Sequence, residues 1–125
     1  MEHYQNGRLS DAEKLSVEIT KEFPKHPFAW KVLGAVLGAT GKQSGAVDAN
    51  QTAVTLSPQD AAAHSNLGIT FHELGRLEEA EACLKQAIGL KPKYAEAHSN
   101  LGITLQELGR LDEDAASLTQ AIVLV

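Results

Sequence analysis

The octapeptide AHSNLGIT occupies residues 63–70 and returns, letter for letter, at 97–104. A stretch copied at a fixed distance constrains the fold more than any other feature of this chain, because units that recur stack on their own copies. The segments 61–91 and 95–125 agree at 21 of 31 aligned positions. Pro24, Pro58 and Pro92 obey the same 34-residue period. So do Gly7, Gly41, Gly75 and Gly109, and, as a third series, Gly34, Gly68 and Gly102. Three marks on one period leave no room for coincidence.

Each unit reads as two helices. In the middle unit Leu67, Phe71 and Leu74 recur at i, i+4, i+7, the spacing of one helical face. Gly75 falls where a helix C-terminus favours a left-handed residue. The second helix opens on acids, as the helix dipole prefers, and Pro92 ends it by withholding a backbone donor. The grammar predicts helices over 28–40, 43–56, 61–74, 77–90, 95–108 and 111–124. A seventh, over 10–23, opens on SDAE, a capping box of Ser10 and Glu13. No strand pattern competes, so the predicted fold class is all-α.

These residues carry a family resemblance. The unit resembles the tetratricopeptide repeat, whose pattern runs W-x2-L-G-x2-Y, then A-x3-F, then a late A and P. It appears as Trp30, Leu33, Gly34, Leu37, Ala46, Asn50, Ala53 and Pro58, and again as His64, Leu67, Gly68, Phe71, Ala80, Leu84, Ala87 and Pro92. A third copy has His98, Leu101, Gly102, Leu105, Asp114, Leu118 and Ala121. Asn50 and Asp114 depart from the pattern, which wants a large apolar residue and an alanine there. The resemblance implies a right-handed α-solenoid of stacked antiparallel helix pairs, with about seven helices in one domain. Its units would be a partial repeat at 1–26 supplying only a second helix, repeats at 27–60 and 61–94, and a repeat at 95–125 truncated at its end.

Composition narrows the partners. The net charge is −5 and no basic cluster stands free of acids, which argues against nucleic acid and anionic membranes. A single cysteine, Cys83, excludes an internal disulfide, and no run nears the ~20 apolar residues that span a bilayer. The polar N-terminus does not read as a signal peptide, and a cytoplasmic location is expected.

No catalytic constellation is expected, and no metal or cofactor site. His64 and His98 stand one repeat apart, whereas zinc needs its ligands ~2 Å from one centre. They are expected to fill the slot in which the family often carries Trp. GAVLGATGK at 34–42 has glycines of a phosphate loop but no preceding strand. The acids of LEEAEA and LDEDAA suit helix dipoles better than calcium.

A groove is what the pattern leaves. First helices of a stacked array line its inner surface, and there the stripe Ala62, Asn66, Ile69, Glu73 recurs as Glu96, Asn100, Ile103, Glu107. Ser65, His72, Ser99 and Gln106 flank it, while Lys31 and Val32 stand in the preceding unit. Asparagine is a poor helix former, so its recurrence reflects either recent duplication or use. An amide gives and accepts hydrogen bonds, so a row of amides can hold an extended peptide backbone. This is similar to the asparagine ladder of O-linked N-acetylglucosamine transferase repeats, matched by Asn66 and Asn100 and broken at Val32. The carboxylate clamp for chaperone tails is rejected: Lys31 and Asn66 match it, but Ala35, Glu96 and Asn100 do not, and Glu96 has the wrong sign.

The expected function is therefore a non-catalytic interaction module that binds a peptide or protein in extended conformation. The alternative is the targeting arm of a larger, glycosyltransferase-like enzyme. Apolar ends such as QAIVLV at 120–125 lead to an expectation of self-association. Asp114, aligned with Ala46 and Ala80, would place a carboxylate against Gly102, so Asp114→Ala is expected to stabilise.

Overall fold

The computed structural model describes the backbone of residues 2–124 and side chains from Gly7 to Leu111. The helices are α1 (Glu2–Glu22), α2 (Pro27–Ala39), α3 (Gln43–Leu56), α4 (Ala61–Glu73), α5 (Leu77–Leu90) and α6 (Ala95–Leu124). Helices α2 and α3 pack as one pair and α4 and α5 as the next, with α1 against α2 and α6 against α5. The chain is an all-α solenoid of stacked helix pairs.

Local chemistry sets the helix ends. Pro27 occupies the first turn of α2, where its missing donor costs nothing. Asp60 caps α4, accepting hydrogen bonds from the Ala62 and Ala63 amides at 3.0 and 3.3 Å. Gly41 and Gly75, at φ 79° and 78°, end α2 and α4 in the left-handed region. The next amides, of Lys42 and Arg76, then reach back to the Leu37 and Phe71 carbonyls at 2.8 and 2.9 Å.

The pairs close on small residues. Ala46, Ala53, Ala80 and Ala87 are wholly buried. A Cβ on Gly68 would lie 2.8 Å from Leu84 Cγ and 3.3 Å from the Ala80 carbonyl oxygen, so only glycine admits this approach. Leu67, Phe71 and Ala80 form one core cluster, and Leu84, Ala87 and Ala97 another.

One slot recurs three times with a changing occupant. Trp30 Nε1 donates to the Pro24 carbonyl at 2.8 Å. His64 Nε2 meets the Pro58 carbonyl at 2.8 Å, and His98 Nε2 the Pro92 carbonyl at 2.7 Å. Each ring fastens the start of a first helix to the proline that ended the preceding second helix.

Two sequence expectations fail, for one reason. The turn predicted at Gly109 does not form, and α6 runs unbroken through it, where separate helices over 95–108 and 111–124 were expected. Likewise α1 passes straight through Gly7 and Ser10, so the Ser10–Glu13 capping box is absent. Glu13 instead accepts from Lys42 Nζ at 2.7 and 2.9 Å. Reversing the chain at Gly41 or Gly75 is rewarded by a packed helix on either side. At Gly7 and Gly109 the helix continues instead, and a helical glycine costs only about 1 kcal/mol against alanine. The Asp114 side chain lies outside the described residues.

Candidate functional site: the groove over α2, α4 and α6

Contacts between helices fix the curvature. The first helices touch in succession, α2 to α4 and α4 to α6, whereas the second helices α3 and α5 do not meet. An array whose first helices converge and whose second helices splay is concave on the first-helix side.

That surface opens into a groove of about 230 Å³ between α2 and α4, lined by Gly34, Ala35, Gly38, Ala39, Asn66, Ile69, Thr70 and Glu73, with Asn50 at its floor. The small residues of α2 come at 34, 35, 38 and 39, one helical face, and a Cβ on Gly38 would have no neighbour nearer than 3.9 Å. Space is thus built into the α2 wall, while α4 supplies the larger side chains, Asn66, Ile69, Thr70 and Glu73.

Beneath the groove runs a polar chain. Asn50, only 2% exposed, donates from Nδ2 to Thr70 Oγ1 at 3.1 Å. Thr70 Oγ1 in turn donates to the Asn66 carbonyl oxygen at 2.9 Å. Asn50 Oδ1 presses on Gly34, where a Cβ would collide with it, and has no hydrogen-bond partner among the described residues. The departure of Asn50 from the repeat pattern is visible in the sequence; its place under Asn66 is not. Thr104 Oγ1 repeats the lower link, donating to the Asn100 carbonyl at 2.9 Å.

Expected groove residues fall into three groups. Asn66, Ile69 and Glu73 share the α2–α4 groove. Farther along, His72 Nε2 lies 3.1 Å from Glu107 Oε2, a contact without hydrogen-bond alignment between α4 and α6. Glu96, Ser99, Ile103 and Gln106 are exposed on α6, with Asn100 half-buried among them.

Three residues do something else. Ser65 is fully buried and offers nothing to a partner. Val32 lines a separate cleft between α1 and α2. Lys31 donates to Asp60 Oδ2 at 2.8 Å, bracing the cap of α4. Burial raises the Asp60 pKa, but the Lys31 ammonium and the two capping amides outweigh it and hold the carboxyl below its ordinary value. Burial, reinforced by Glu79, pushes the Cys83 thiol up to about 11, so it is no ready nucleophile at neutral pH.

The family model described as TPR repeat matches residues 34–75 and 70–109. The chain belongs to the TPR repeat family. Among solved structures it is similar to the first TPR of Spaghetti (RPAP3) bound to an HSP90 peptide, at 22% identity over 86% of each chain and a TM-score of 0.80. It is similar also to the Sgt2 TPR domain from Aspergillus fumigatus, at 17% identity over 88% of this chain and 74% of that one, with a TM-score of 0.81. Thermobaculum terrenum O-GlcNAc transferase matches at 30% identity and a TM-score of 0.74, over 83% of this chain and 20% of that protein. No curated protein matches the chain. Among the described residues no helix is long and apolar enough to cross a membrane.

Proposed function

We propose that this TPR array binds a peptide, or an extended segment of a protein, along its concave surface, with Asn66 and Asn100 as backbone-holding amides. The observation that carries the reading is the open α2–α4 groove with Asn66 on its wall, anchored from below by the Asn50–Thr70 chain. No described group engages the Asn66 side-chain amide, so its donors and acceptor are available to a ligand. Glycine and alanine opposite it leave room for a backbone and few features to select side chains. The similar first TPR of Spaghetti, whose structure holds an HSP90 peptide, supports this reading.

A peptide-library pull-down tests this. Asn66→Ala with Asn100→Ala should remove hydrogen bonds of about 0.5–1.5 kcal/mol each while leaving helicity intact. Capture unchanged by the double substitution would end the ladder reading. The identity to the O-GlcNAc transferase favours a second reading, in which the same groove is the recognition arm of a glycosyltransferase. A natural reading frame continuing into a catalytic domain would support it, and one that does not would remove it.

A further inference from the structure

We infer that the exposed faces of α6 and α1 are complementary, so that α6 of one copy takes α1 of a second copy as a second helix. The template is the pair inside the chain. There α4 presents Leu67, Gly68 and Phe71, and α5 answers with Ala80, Cys83, Leu84 and Ala87.

On α6 the equivalents of the first set are Leu101, Gly102 and Leu105. Leu105 is 44% exposed where Phe71 is 6%, and a Cβ on Gly102 meets nothing within 4 Å where Gly68 is crowded. This is a first helix with its second-helix face bare. On α1 the equivalents of the answering set are Ala12, Leu15, Ser16 and Ile19. Leu15 is 59% exposed where Ala49, one period on, is 2%, and Ile19 is exposed too, while Ser16 between them is already buried. Leu15 and Ile19 are the bare part of this second helix.

The halves fit in size. Leu105 for Phe71 and Ser16 for Leu84 remove volume, while Leu15 for Cys83 and Ile19 for Ala87 add it, so the exchanges offset one another. Gly102 gives close approach, and opposite it stands Ser16 in place of Leu84. Ser16 Oγ already donates to the Ala12 carbonyl at 2.7 Å, so covering it strands no donor.

Continuity with the internal interface extends the contact. First helices touch their successors, α2 to α4, so an incoming α6 also reaches α2 of the second copy. There an apolar cleft of about 450 Å³, lined by Ile19, Phe23, Phe28, Ala29 and Val32, lies open between α1 and α2. The contact is heterologous: each added copy leaves one free α6 and one free α1, so assembly proceeds to rods or a closed ring.

Two single-cysteine variants test it, Leu105→Cys and Leu15→Cys, each in a Cys83→Ala background and one labelled with nitrogen-15. Both sites are exposed, and circular dichroism checks that the helices persist. Mixed and oxidised, they should yield chiefly the mixed disulfide by mass, and the unmodified chain should sediment as species growing with concentration. Leu15→Lys should return it to monomer. Disulfides joining like variants would instead indicate a symmetric dimer and overturn the inference. A chain that stays monomeric and does not cross-link, its 111–124 segment folding back on its own α6, would overturn it equally.

Discussion

Gly68 and Gly102 occupy the same place in the same octapeptide and have opposite surroundings. At Gly68 an added methyl meets Leu84 Cγ at 2.8 Å and backbone behind it, so Gly68→Ala overpacks the α4–α5 contact. Overpacking costs about 1–3 kcal/mol, against about 1 kcal/mol gained in helix propensity, and net destabilisation is expected. At Gly102 the methyl enters open space, so at dilutions where copies are apart Gly102→Ala should stabilise by up to about 1 kcal/mol. Urea unfolding of the two variants checks both signs. The sequence shows the identity of the two sites but not this asymmetry, because burial belongs to the neighbours. Asn50 teaches the same lesson: its oddity is legible at once, yet only the fold sets it under Asn66. Asp60 carries a further prediction. Its carboxyl titrates below its ordinary 3.8 in the folded chain, so its contribution to stability is present above that pH and is lost as acid takes the pH down through the folded value. Asp60→Asn keeps a capping side chain but not the charge, and should flatten that acid limb in pH-dependent melts.

At the scale of the element, the 34-residue period predicts the two internal pairs well, since each helix there has a partner on both sides. Its failures are at Gly7 and Gly109, where periodicity implies a turn and the helix continues. A repeat encodes a turn only jointly with the helix that folds back, and sequence patterns do not report whether that helix is in place. The glycines separate these cases. Gly75→Ala forces a side chain into the left-handed region, which costs about 1–2 kcal/mol. Gly109→Ala in a continuous helix should instead add up to about 1 kcal/mol. Thermal melts that fell for both would show a turn at Gly109 after all.

Across the whole molecule, first helices that touch and second helices that do not make one surface concave, and that surface holds the open groove. Of the residues expected at the groove, Asn66, Ile69 and Glu73 line it and Ser65 is buried, because one residue's rotation around a helix separates groove from core. Lys31 was readable as a cation but not as the brace of Asp60, which lies 29 residues away. The central claim is that an extended peptide lies along α2, α4 and α6. Amide chemical-shift mapping with a library-selected peptide tests it most directly. The account predicts shifts at Gly34, Gly38, Asn66, Ile69 and Asn100, including the Asn66 side-chain amide. Shifts confined to α3 and α5, with the Asn66 amide unmoved, would contradict it.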